Sequence, residues 1–133
     1  MEIEFLGGAG EVGRNAVSII DKETNIVLDY GTKIENTPPE HPLPTKNVTA
    51  VLLSHAHLDH CGSIPILYTK EKPKFFTNDI SLDMSLMLIK DSLKIAGFEG
   101  HVLPFERKDV KVMINSAIMT NYNERFRIND FMC

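Results

Sequence analysis

Three imidazoles and one carboxylate fall within six consecutive positions, His55-Ala56-His57-Leu58-Asp59-His60. Imidazole nitrogen and carboxylate oxygen are the ligand types that suit zinc, and also iron or manganese. The chain has only five histidines, and a solvated turn gives no reason to gather three of them in one hexapeptide. His55 and His57, two apart in an extended loop, can point the same way. Asp59 and His60 are adjacent, so their side chains diverge and can serve a second ion beside the first. The spacing therefore predicts a metal site with His55, His57, Asp59 and His60 as ligands. Cys61 abuts His60 but reads as a small buried hydrophobe. His41, in a polar loop, is expected to be solvated, and His101, beside Gly100, to be structural.

Such a cluster needs a rigid mount. It follows Ala50-Val51-Leu52-Leu53-Ser54, a short β-branched run that reads as a buried strand, so the ligands lie on a loop leaving a strand end. Four strands, Glu2–Leu6, Ala16–Ile20, Asn25–Asp29 and Thr49–Leu53, are expected to form a β-meander over the first sixty residues. The stretch Thr37-Pro38-Pro39-Glu40-His41-Pro42-Leu43-Pro44 between the last two can be only a surface connection, because prolines fix φ and remove donors. Beyond the cluster, Gly62–Tyr68 suits a short helix and Lys74–Thr77 a strand. A longer helix, capped by Thr77 or Asn78, is expected to run to about Ala96, with Gly97 as its left-handed stop. Its stripe Leu82, Leu86, Ile89, Leu93 and Ala96 would pack on a sheet, with Met84 and Met87 as core or gap-filling side chains. His101–Phe105 reads as strand-like, Asp109 to about Thr120 as a helix, and Phe126–Met132 as a half-exposed strand.

The H-x-H-x-D-H run after a strand resembles the metallo-β-lactamase superfamily. Phe5-Leu6-Gly7-Gly8-Ala9-Gly10-Glu11-Val12-Gly13-Arg14-Asn15 is similar to the opening of its β-CASP branch, the nucleic-acid-cutting members. Ile26-Val27-Leu28-Asp29-Tyr30-Gly31 resembles that family's first motif, and Cys61-Gly62-Ser63-Ile64-Pro65 its continuation after the metal loop. Leu88-Ile89-Lys90-Asp91-Ser92-Leu93-Lys94-Ile95 is similar to a helix of the polyadenylation endonucleases and their archaeal relatives. The resemblance is strongest over residues 5–65.

One stretch invites a different reading. Gly8-Ala9-Gly10-Glu11-Val12-Gly13 is a literal G-x-G-x-x-G after a strand-like run, with Asp29 some twenty residues on, which is the pattern of a dinucleotide-binding domain. That site requires a helix to begin at the glycines and present its amides to the pyrophosphate. Ala16–Ile20 and Ile26–Leu28 around a turn-rich pentapeptide read better as a hairpin.

Composition bounds the function. Of 133 residues, 43% are hydrophobic and 24% charged, as in a soluble globular domain. No apolar run is long enough for a bilayer, so no membrane partner is expected. The acidic Met1-Glu2-Ile3-Glu4 is no secretory leader, and two cysteines make no disulfide framework, so a cytoplasmic setting is expected. A net charge of −4 excludes a globally basic nucleic-acid binder. The charge is uneven, with 4 Lys/Arg against 9 Asp/Glu in residues 1–60 and 10 against 9 in the remainder.

The resemblance implies an α/β (α+β) fold, the N-terminal half of a metallo-β-lactamase-type αββα sandwich. It implies two zinc ions, with His55 and His57 on the first and Asp59 and His60 on the second. Asp59 would also orient the attacking water, and Asp29 would fix a ligating histidine through its other ring nitrogen, a role to be set against a plain strand-ending turn acid. Residues 1–133 would be a partial domain, stopping before a Gly-His motif, an Asp motif and a last His that complete the metal shell. The function implied is hydrolysis of RNA by a zinc-dependent nuclease, of endonuclease or exonuclease type. A small-molecule metallohydrolase acting on thioesters or lactones, and an inactive fragment or interaction piece, stay open. Two ligands per ion leave a zinc site incomplete. The isolated chain is therefore expected to be inactive, to bind zinc weakly, to need a missing C-terminal half or a second chain, and to oligomerise or show a loosely packed C-terminal region.

Overall fold

The computed structural model describes all 133 residues. Strands β1 (Glu2–Gly7), β2 (Ala16–Asp21) and β3 (Thr24–Leu28) form an antiparallel meander. Strand β4 (Ala50–Leu52) then pairs parallel to β3, and β5 (Lys74–Thr77) parallel to β4. The meander thus stops at β3. The long connection Asp29–Thr49 lets the chain re-enter the sheet in the same direction, as parallel pairing requires. β6 (Ala117–Met119) completes a six-stranded sheet in sequence order, parallel to β5.

No helix begins at the glycine fingerprint. Gly8, Gly10 and Gly13 have φ of 80°, 74° and 99°, and the segment returns directly into β2, antiparallel to β1. A pyrophosphate would meet no helix N-terminus there, so the dinucleotide reading fails.

Helical elements cover one face of the sheet. They are α1 (Leu58–Cys61), a 3₁₀ turn (Ile64–Tyr68), α2 (Asp79–Glu99) and α3 (Arg107–Asn115). Side chains alternate across a strand, and Val27, Val51 and Phe75 point into this core with Ile64, Ile89 and Met113. The expected α2 stripe is borne out. Ile89 and Ala96 are buried, and Leu82, Leu86 and Leu93 pack against them. Asn78 caps the helix, its Oδ1 accepting from the Ser81 amide at 2.8 Å. The end of the helix differs from the reading. Gly97 lies inside it, and Gly100, with φ 74°, is the left-handed stop. Met84 and Met87 are exposed, not core.

Other elements shift as well. His101–Phe105 forms no strand. The helix expected over Asp109–Thr120 begins two residues earlier, where Asp109 Oδ2 accepts from the Glu106 amide at 2.8 Å. It ends at Asn115 because Ala117–Met119 pairs with β5. The expected strand Phe126–Met132 is a small hairpin, β7 (Arg127–Ile128) and β8 (Phe131–Met132), turned at Asn129 with φ 51°. Ile128, Phe126 and Phe131 cover Ile26, Ala50 and Phe76 on the second face of the sheet, with Phe76 and Phe126 stacked at 4.6 Å. The β1–β2 end of that face is bare, and Ile3 and Phe5 are exposed. No helix is long and apolar enough to cross a membrane.

Candidate metal centre

Residues 53–61 leave the end of β4 and are pinned by backbone hydrogen bonds to the ends of neighbouring strands. The amides of Asn15, Tyr30 and Thr32 donate to the carbonyls of Asp59, His60 and Leu58 at 2.9, 2.8 and 2.8 Å. The loop is laid so closely on Gly31 that a Cβ there would fall on the Asp59 carbonyl. This explains the glycine in Asp29-Tyr30-Gly31, since any side chain would push the loop off the sheet.

Asp29 lies at the end of β3 with φ 56°, turned so that its carboxylate faces the loop. Its Oδ1 accepts from the Ser54 amide at 2.7 Å. Its Oδ2 accepts from Ser54 Oγ at 2.7 Å and from His60 Nδ1 at 2.8 Å. Donor accounting then assigns the tautomers. His60 spends its Nδ1 hydrogen on Asp29, which leaves Nε2 as a lone pair. Ser54 spends its hydroxyl hydrogen on Asp29, so its oxygen accepts from His55 Nδ1 at 3.0 Å. His55 is likewise left with an Nε2 lone pair. One buried-edge acid thus orients two imidazoles, one directly and one through Ser54.

The free ring nitrogens meet their neighbours as two pairs. His55 Nε2 lies 3.1 Å from His57 Nδ1, and His60 Nε2 lies 3.5 Å from Asp59 Oδ2. Two ligands of one tetrahedral zinc, each ~2.0–2.1 Å from the ion, are ~3.3 Å apart. Both separations bracket that bite. The His55 and His60 ring centroids are 4.0 Å apart, so the pairs adjoin. No three His, Cys, Asp or Glu side chains converge on one metal-sized point. The donor chemistry and the pair spacing fit metal ions.

Asn15 joins this cluster, although the sequence marks it only as the last residue of the glycine-rich stretch Phe5–Asn15. Its Nδ2 donates to the Asp59 carbonyl at 3.0 Å and to Oδ2 at 3.1 Å, and lies 3.3 Å from His60 Nε2. Ser54 was also missed. Nothing in composition marks either residue, although each closes a stretch singled out in the sequence. Glu11 and Arg14 form a charge network beside the cluster. Glu11 accepts from Arg14 Nε at 2.6 Å and from Lys33 Nζ at 3.0 Å, and these cations hold its carboxyl down at about 2.

The remaining candidates lie elsewhere. Cys61 is fully buried, and burial pushes its thiol up to about 11, so it is a protonated core residue. His41 is half-buried rather than fully solvated. Ser63 Oγ donates to the Gly31 carbonyl at 2.6 Å and therefore accepts from His41 Nδ1 at 2.7 Å. Desolvation lowers the His41 pKa. His101 is half-buried, with Nδ1 3.5 Å from Glu99 Oε2. His41 and His101 share a hollow of about 250 Å³ behind the loop, also lined by Leu58 and Gly62. The His–Asp cluster itself opens to the surface.

Residues 9–118 match the model of the metallo-beta-lactamase superfamily. The chain is 37% identical over 135 residues to the probable RNase MJ4 of Methanocaldococcus jannaschii, covering 98% of this chain and 31% of that protein. It is 35% identical over 130 residues to the transcription termination factor FttA of the same organism, covering 92% and 20%. The chain therefore spans a third or less of these relatives. Among solved structures, a subclass B3 metallo-beta-lactamase from a soil metagenome, MEM-A1, matches with a TM-score of 0.57 at 16% identity, covering 98% of this chain and 47% of that one. With a sheet-end loop of paired His and Asp donors and a family match over most of its length, this chain belongs to the metallo-beta-lactamase superfamily.

Proposed function

We propose that this chain is the metal-binding part of a zinc-dependent ribonuclease of the β-CASP branch. The observation that carries the reading is the pair of donor sets at zinc bite distance, with His60 and His55 oriented by Asp29 and Ser54 so that Nε2 of each carries a lone pair. The RNase relatives supply the substrate class. His55 and His57 would hold one ion, Asp59 and His60 the other. When bound, two zinc ions supply charge neutralisation at a phosphodiester and acidify water near them. The protein's share is positioning. Asp29 holds the ring of His60, Asn15 steadies Asp59, and Asp59 Oδ1, the carboxylate oxygen Asn15 does not engage, is free to accept a proton from an attacking water.

Zinc takes about four ligands, or three and a water, per ion. In this proposal residues 1–133 form part of the domain, and further ligands come from additional sequence or a second chain. A cytoplasmic setting accords with two free cysteines.

The test uses the longer protein that carries this segment. It should purify with close to two zinc ions per chain by elemental analysis, and Asp59→Asn and His57→Ala should each abolish RNA cleavage while far-UV circular dichroism stays unchanged. Correctly folded protein with no transition metal would end the proposal. Full turnover in the Asp59→Asn protein would turn it towards a small-molecule hydrolase.

A further inference from the structure

Helix α2 is apolar on two opposite sides. Its inner stripe packs on the core. Ile80, Met84, Met87, Ile95 and Phe98 form a second stripe, which at 3.6 residues per turn falls on the far side, with Asp91 at the intervening position. Ile80 is 73% and Phe98 84% exposed. A solvent-facing helix side is ordinarily polar, and nothing within the chain covers this one.

Beside the stripe runs a groove. Helix α3 makes its closest backbone approach to the 3₁₀ turn, and between it and α2 lies a hollow of about 690 Å³ floored by Leu93, Val110 and Ile114. Lys90 and Lys94 line it from α2, Arg107 and Lys111 from α3, each pair four residues apart on its helix. All four are exposed and none is in an ion pair, whereas Lys108 nearby pairs with Glu106 at 3.2 Å. Asp91 is the one acid in the groove. Four unpaired cations facing one carboxylate stand out in a chain of net charge −4.

We propose that the outer face of α2 and the α2–α3 groove dock an acidic amphipathic helix of a separate partner protein. Apolar anchors at i, i+3 or i+4, and i+7 would cover the stripe, and an edge of Asp and Glu would lie over the four cations. Charge complementarity of this kind steers association and fixes register. A single RNA strand fits less well. Grooves that track one combine cations with aromatic platforms for the bases, and here no aromatic residue lines the groove and its floor is aliphatic. A second copy of this chain would bring four more cations against the same four, with one Asp91 to meet them. The proposal is independent of the metal centre.

The probe is a fluorescein-labelled, 18-residue synthetic helix with Leu at i, i+3, i+4 and i+7 and Glu along both flanks, titrated with the 133-residue chain by anisotropy. The Glu-flanked peptide should bind saturably and at least tenfold more tightly than a Lys-flanked twin or a scrambled one. Met87→Glu/Phe98→Glu and Lys90→Glu/Lys94→Glu/Arg107→Glu/Lys111→Glu should each weaken it at least tenfold, and amide shifts should map to α2 and α3. All six positions are exposed, and thermal melts check that each variant folds. Equal affinity for the scrambled peptide, no saturation, or shifts on other elements would overturn the proposal. So would a labelled 20-nucleotide RNA whose binding depends on the four cations when the peptide's does not, or self-association abolished by Met87→Glu/Phe98→Glu.

Discussion

Asp29 does more in this chain than a strand-ending acid needs to do. Its two oxygens receive three hydrogen bonds, and the alternatives left by sequence reading, an orienting acid or a turn residue, make different demands on it. A turn acid would be replaceable by Asn with little effect on any ligand. An orienting acid would not, because partners that fix a ligand's tautomer commonly contribute ~10–100-fold to metal affinity. Asp29→Asn should therefore weaken zinc binding by that order in competition with a chromophoric chelator, and unchanged affinity would return Asp29 to the turn. His41 carries a second residue-scale expectation. Desolvation depresses its folded pKa, so the unfolded chain takes up this proton more readily than the folded one. Its stabilising share is complete above the unfolded value of ~6.5 and is lost as pH falls from there through the folded pKa. Melting temperatures at pH 7.5 and 5.0 should accordingly diverge more for the native chain than for His41→Gln. Parallel curves would show that His41 titrates unperturbed.

The elements show where sequence reading succeeds and where it stops. The His55–His60 loop stands out in the sequence because three rare side chains cluster in it, and the α2 core stripe was legible because five apolar residues keep a helical period. Asn15 was not, since its role depends on a backbone contact between residues 15 and 59 that no local pattern encodes. Ala117–Met119 reads as the tail of a helix and becomes β6 because β5 offers an open parallel edge, a tertiary demand that outweighs propensity. Met84 and Met87 were placed in the core by residue type, and the structure gives them to a second face. Gly97 and Gly100 make the point measurable. Both punctuate the end of α2, but only Gly100 is left-handed, and a Cβ on Gly97 meets nothing within 4 Å. Gly97→Ala should stabilise the chain by ~0.5–1 kcal/mol through lower unfolded-state entropy and better helix propensity. Gly100→Ala should destabilise it by ~1 kcal/mol, the cost of a left-handed alanine. Urea titrations of the two variants giving shifts of the same sign would contradict this placement of the helix end.

At the scale of the molecule, the two faces of the sheet are unequally covered. The helical face holds the larger core, while on the other face the hairpin β7–β8 protects only Ile26, Ala50 and Phe76. Strand register carries the apolar row onward from Leu28 through Val17 to Phe5, and from Ile26 through Ile19 to Ile3, and Phe5 is 65% exposed. β1 is also an edge strand with open hydrogen-bonding groups, the arrangement that favours pairing with another chain. Glu2 and Glu4 offer some protection on the opposite side of the strand, but contiguous exposed apolar surface promotes association. We expect concentration-dependent self-association of the 133-residue chain through the β1–β2 face, seen by sedimentation velocity across the micromolar range. Phe5→Lys should suppress it. Because that side chain is already mostly in water, the substitution should leave the melting temperature of the dilute chain within a degree or two, corresponding to the ~0.5 kcal/mol typical of surface changes. A native chain that stays monomeric at millimolar concentration, or a Phe5→Lys chain that associates equally, would mean that the bare face is not sticky enough to matter.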